Sequence, residues 1–324
     1  MKNLIPFILV VLFLVSMNAS GQESAFAKAE SLFKKEQYKS AKPLFESYLK
    51  SNRNDLKTLE YLGDIAGHAK DWDTAIAYYE RLVELDGNVA NYHYKYGGVM
   101  GMKALEINKL RAATMISDIK GAFLKAAELD PKHIETRWAL VEFYIQLPGI
   151  IGGSEEKAIK YAAELSAISP VDGYLAKGYI AEYNDRPKDA ERYYIAAVKE
   201  GGSMTCYTKL YEHYEKQGMS AEALATIQEA QEKHKSNNRL HYQLGKVAGQ
   251  YGIGLDQGIE CLNQYIALYS AKDGVPKDWA YLRLAQIYKH KGDKEKAEIW
   301  IDKALSSRSD FKEALAEKRI IQAL

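Results

Sequence analysis

Seven His, two Cys and 43 Asp plus Glu are the groups from which this chain could build a catalytic or metal centre. Their spacing builds none. No His-Glu-x-x-His is present, so no helix offers two imidazoles one turn apart with a carboxylate to activate zinc-bound water. Gly152-Gly153-Ser154 and Gly201-Gly202-Ser203 lack the trailing glycine of a nucleophile elbow. Gly173 to Gly178 begins like a phosphate-cradling loop but lacks the Lys-Ser/Thr ending. Gly252 to Gly258 is mis-spaced for a dinucleotide turn and follows no strand-like run. Cys206 and Cys261 have no His at ligand spacing and read as two small buried thiols. The carboxylates lie in amphipathic runs, where they serve as solvated faces with partners one turn away. The expectation is a chain that is not an enzyme and holds no metal or cofactor.

Composition narrows the class further. Among 324 residues, 47% are apolar and 27% charged, as in a folded protein rather than a disordered one. Lys plus Arg is 44, which leaves a net charge of +1 and no basic excess for nucleic acid. Lys2, the apolar run Leu4 to Val15 and the small residues Ala19-Ser20-Gly21 read as a signal peptide over 1–21. Its removal takes away Lys2 and leaves a neutral chain. No later segment is apolar for long enough to span a membrane. The expected location is therefore periplasmic or extracellular. Tyr is in surplus, 24 against 8 Phe.

The remaining chain repeats. A small residue recurs with a larger apolar one four places later: Ala41/Phe45, Ala75/Tyr79, Ala190/Tyr194, Ala223/Ile227, Gly258/Leu262 and Ala297/Ile301. The period is about 34 residues. Upstream of each pair stands a second small anchor, as in Leu62-Gly63, Tyr96-Gly97, Lys177-Gly178 and Leu244-Gly245. Facing small residues let two antiparallel helices approach closely, so each repeat predicts helix–turn–helix. The prolines are expected at repeat ends, in loops, or in the first turn of a second helix, as for Pro43 and Pro187. No segment alternates as a strand would.

These residues resemble the tetratricopeptide repeat (TPR), and the second repeat matches best through Leu62, Gly63, Trp72, Ala75, Tyr79 and Leu82. The resemblance is to TPR proteins of the exported bacterial type. It implies an all-α, right-handed solenoid over 22–324 with about eight repeats. These are 22–55, 56–89, 90–133, 134–170, 171–203, 204–237, 238–271 and 278–311, with a capping helix at 312–324. Trp72 would fill the gap between its own two helices. The third repeat carries an insertion around 103–115 that still reads as helix, and the fourth a Leu147–Ser154 loop.

In such a solenoid the first helices line a concave groove. The family's groove offsets select Trp138, Glu142, Tyr179, Tyr183, Tyr242, Lys246 and Trp279 as the expected partner-binding residues. The same offsets give an acidic early groove (Glu30, Glu60, Asp64, Glu142, Glu182) and a more basic late one (Arg239, Lys246, Lys289). Aromatic faces with polar tips suit an extended peptide or a partner helix. The implied function is a non-enzymatic scaffold that binds a protein or peptide, within an envelope assembly. Two other readings stay open: a glycan-binding module that stacks sugars on Tyr and Trp, and an enzyme with a site between repeats.

Overall fold

The structure, a computed structural model, describes residues 25–324; the expected signal segment 1–21 lies outside them. Among the described residues there is no strand. The described residues divide into two compact units, one ending at Glu164 and one running from Leu165 to Leu324.

In the first unit α1 covers residues 25–34. It is followed by α2 (Tyr38–Ser51), α3 (Leu56–His68), α4 (Trp72–Leu85), α5 (Ala90–Glu106), α6 (Lys109–Leu129), α7 (Ile134–Gln146) and α8 (Glu155–Ile168), within which the division falls. The second unit holds α9 (Pro170–Tyr183), α10 (Pro187–Gly201), α11 (Met204–Lys216), α12 (Ser220–Lys233) and α13 (Asn238–Tyr251). It continues with α14 (Leu255–Leu268), α15 (Lys277–His290), α16 (Lys294–Ser307) and α17 (Lys312–Gln322). In both units the helices follow one another in helix–turn–helix pairs, the arrangement of a TPR solenoid.

Short polar residues set the helix starts. Asp55, Asp71, Asn108, Ser203 and Asp293 each accept a hydrogen bond from a backbone N–H in the first turn that follows. The turn inside a pair has a fixed form. Glu36, Lys70, Asp185, Gly218 and Gly292 all take a positive φ, each two residues before the second helix begins. Two of these five are glycine, the residue that adopts that conformation without steric cost.

The core sits between paired helices. A Cβ on Gly63 would stand 2.9 Å from the Tyr79 ring, one on Gly97 2.9 Å from Phe123, and one on Gly178 2.4 Å from Tyr194. Absence of a side chain therefore lets an aromatic ring approach the facing helix closely. Tyr79 and Tyr194 are buried, and each such burial contributes about 1.5–3 kcal/mol.

Three details differ from the sequence reading or give it form. Pro43 is not in the first turn: α2 begins at Tyr38, so the proline lies inside the helix. Trp72 is half-buried at the start of α4, and its indole N–H donates to Glu106 on α5 at 2.8 Å. The 103–115 insertion forms the end of α5 and the start of α6, with 17 and 21 residues in the two helices.

Candidate binding site

The first helices of successive pairs are tied together by charge. Lys95 of α5 lies 2.9 Å from Glu60 and 2.8 Å from Asp64, both on α3. Lys57 of α3 pairs with Glu30 of α1, which also accepts from the Tyr61 hydroxyl at 2.7 Å. In the second unit Lys216 reaches Glu182 at 2.5 Å, Lys246 reaches Glu215 at 2.9 Å and Lys289 reaches Glu317 at 2.5 Å. The second helices join the network through tyrosine. Tyr79 donates to Asp64, and Tyr194 donates to Glu182 at 2.8 Å.

These bonds shift the groups that make them. The Lys57 ammonium and the Tyr61 hydroxyl hold Glu30 below the usual carboxylate range. Burial pushes Tyr61 up to about 12, helped by Glu30. Burial, with Asp64 or Glu182 behind it, raises Tyr79 and Tyr194 well above the ordinary value.

The expected partner-binding residues divide under this geometry. Trp138 is half-buried and Glu142 exposed in the first unit. In the second, Tyr179 is half-buried and Tyr183 is 50% exposed, their rings 6.4 Å apart. Tyr242 is not a groove residue. It is 5% exposed and packs on Tyr265 at 5.4 Å within the core of α13, α14 and α15. Trp279 is also taken into packing: it meets Phe311 edge-on at 4.7 Å, with Arg283 and Arg308 over its ring. Lys246 is paired with Glu215. Lys246 and Lys289 are thus matched by acids on neighbouring helices, Arg239 donates to the Lys272 carbonyl, and the acid-to-base polarity read from the sequence is replaced by local pairing. Register places a residue on a helix face; it does not show which neighbour meets it.

The first unit holds an opening on the face where the groove offsets place Asp64 and Glu142. A cavity of about 360 Å³ lies among α5, α6 and α7. Tyr94, Gly98, Gly101, Met102 and Leu105 line it from α5, Ile116, Ile119 and Phe123 from α6, and Ala139, Glu142 and Phe143 from α7. A second cavity, of about 470 Å³, lies between α3 and α5 and shares Tyr94, Gly98 and Met102 with the first. Gly67, Gly98 and Gly101 line these cavities, and a Cβ on any of them would meet nothing within 4 Å.

The sequence model of the tetratricopeptide repeat matches residues 26–90, and a second model of the same repeat matches residues 280–311. The chain carries tetratricopeptide repeats. No curated protein matches this sequence. Among solved structures, a TPR protein from Parabacteroides merdae ATCC 43184 superposes with a TM-score of 0.50 at 13% identity. That alignment covers 94% of this chain and 99% of the other, and the likeness is one of fold. The MamA protein aligns at 19% identity over 55% of this chain and 91% of its own, with a TM-score of 0.44. The helix pairs of the first unit frame the two adjoining cavities, with α3, α5, α6 and α7 as their main walls.

Proposed function

We propose that this chain is a non-enzymatic scaffold, exported to the envelope, that holds a segment of a partner protein on the first-helix face of its first unit. The observation that carries the reading is the pair of adjoining cavities on α3, α5, α6 and α7, the first walled mostly by apolar side chains, the second also by Asp64, His68 and Lys95. Fixed helices with a preformed apolar opening suit recognition of a partner segment through anchor side chains. The aromatic platform expected for glycan stacking is weakened as a rival, because Tyr242 and Trp279 serve the core.

Site-specific photo-crosslinking in the native cell tests this. A crosslinking residue at Met102 or Phe143 should capture a discrete protein, while one at exposed Lys199 on α10 should not. Equal capture at all three positions, or none, overturns it. Mass spectrometry of the recovered protein should find a mature chain that begins at Gln22.

A further inference from the structure

We propose that the first unit docks on a lipid bilayer through the two turns that follow α5 and α7, with Leu105, Leu110 and Ile150 entering the apolar boundary. The surface is the outer end of two helix pairs, and the inference stands whatever the cavities above hold.

Turns inside other pairs show what these two lack. Lys70-Asp71, Asn184-Asp185, Gln217-Gly218 and Lys291-Gly292-Asp293 are short and polar. The α5–α6 turn instead carries Leu105 and Leu110 on its two sides, and the longer α7–α8 turn carries Ile150. These are the three most exposed large apolar side chains among the described residues, at 74%, 85% and 95%. Leu105 and Leu147 line the same cavity, so the two turns stand at one end of the unit. The Ile150 turn is tightly tied. Gly149–Ile151 form a short 3₁₀ turn, and Gly152 ends it at a φ of +107°. The Gly153 N–H donates to the Pro148 carbonyl at 3.1 Å and the Ser154 N–H to that of Tyr144 at 2.8 Å. The backbone thus holds an isoleucine out of the fold at a fixed place, where only an external apolar phase can take it from water.

Shape, area and charge select the bilayer. The three side chains project from two separate turns, so a rigid partner needs a matched pocket for each, whereas hydrocarbon closes around any of them. Three aliphatic side chains also fall well short of the ~800 Å² a side that a stable protein interface buries. Entry of a few into the boundary of a bilayer is enough for reversible attachment. Over 103–111 and 147–157, Lys103, Lys109, Arg111 and Lys157 stand against Glu106, Glu155 and Glu156, so the two turns are close to neutral. Charge therefore neither drives the docking nor opposes it. Its placement still suits an interface. Glu106 is drawn back toward α4 by Trp72 and Lys70, and Lys103 by Asp73. Lys109 and Arg111, both exposed, bracket Leu110, and their long stems can follow it into the boundary while the charged ends stay with the headgroups. No described helix is long and apolar enough to cross a membrane, so the hold comes from these turns.

The test is co-flotation of the processed chain, from Gln22, with phosphatidylcholine vesicles in about 0.5 M salt, which screens surface charge. The chain should float with the vesicles. Leu110→Ser and Ile150→Ser should each weaken the partition roughly tenfold and together abolish it. Both should melt as the parent does, because the side chains removed are already exposed. A polarity-sensitive dye at Ile150→Cys should shift to the blue on the vesicles, and the same dye at Lys199→Cys should not, the native cysteines being buried. Absence of flotation, flotation that needs phosphatidylglycerol and is lost in salt, or flotation that survives the double variant would overturn the proposal. A dimer in sedimentation velocity that the double variant splits would also overturn it, since these turns would then meet a second copy. Crosslinks from Met102 or Phe143 without flotation would leave the scaffold reading standing and sink this one. Flotation without crosslinks would do the reverse.

Discussion

The hydroxyl of Tyr194 donates to Glu182 across its helix pair at 2.8 Å, while its ring lies against Gly178. Tyr79 repeats the relationship with Asp64 and Gly63. In each case the ring fills the core, the hydroxyl reaches a carboxylate on the first helix, and that carboxylate holds a lysine of the next first helix, Lys216 or Lys95. A phenylalanine could fill the space but could not join the network. This accounts for part of the surplus of Tyr over Phe.

Tyr194→Phe should therefore cost about 1.5–3 kcal/mol, the range for a hydrogen bond to a charged group, while helicity stays unchanged. The loss should depend on pH. Burial alone would raise Glu182, but Lys216 and Tyr194 together hold it below its ordinary value of 4.5. Its contribution to stability is complete above 4.5 and fades as pH falls through the folded value. Urea unfolding at pH 7 and pH 4 should show parent and variant closer together at pH 4.

Alkali probes the same tyrosines from the other side. Tyr79 and Tyr194 are raised by burial and by their carboxylates above the ordinary 10.0. A raised group stabilises the fold below its unfolded value, and that stability is lost as pH climbs toward the folded one. A spectrophotometric titration should show exposed tyrosines ionising near pH 10. A second, cooperative step should then coincide with loss of helical circular dichroism. A single smooth titration with helicity intact would contradict this.

The glycines give opposite predictions according to what faces them. Gly98→Ala and Gly101→Ala should each stabilise by roughly 0.5–1 kcal/mol, because alanine is the better helix former and its methyl enters open space. Gly63→Leu should destabilise by about 1–3 kcal/mol, since its side chain must displace the Tyr79 ring. Thermal melts of the three variants check both signs.

Repeat periodicity made the helix pairs legible, because the small residues recur at a fixed spacing. What faces them was not: Gly63 and Gly178 read as meeting small residues, and the structure sets them against the rings of Tyr79 and Tyr194. The site was less legible. Groove register put Tyr242 and Trp279 on the expected face, but the facing residues Tyr265 and Phe311 come from other helices, and register says nothing about them. The cavity was hidden for a related reason. Gly98 and Gly101 look like packing glycines until the space before them is seen to be empty. Charge was misleading in the same way, because acid and base that seemed separated along the chain meet across neighbouring helices, as Glu215 and Lys246 do.

His213 supplies an acid-side prediction. It is 2% exposed on α11, and burial depresses its pKa from the ordinary 6.5 despite the nearby Glu182 and Glu191. The unfolded chain then takes up this proton before the folded one does. Stability from the neutral imidazole is full above 6.5 and falls as pH drops toward the folded value. The difference in unfolding free energy between pH 7.5 and 5.5 should shrink in His213→Gln. An unchanged difference would mean that the imidazole charges in place without cost.

The assignment of Tyr242 to the core rather than to a binding face can be decided by stability alone. Its ring contacts Tyr265 and sits in a cluster with Leu262, Leu284 and Ile287, so Tyr242→Ala removes a packed aromatic and leaves a cavity worth about 3–5 kcal/mol. Tyr183, half exposed at the end of α9, has less buried surface to lose. Tyr183→Ala should therefore cost well under half as much. If the two variants melted alike, the buried position of Tyr242 would have no energetic consequence, and the groove register would regain its claim on that residue. If Tyr242→Ala alone collapses the melt, aromatics at groove offsets must be sorted by their neighbours before any is given a binding role.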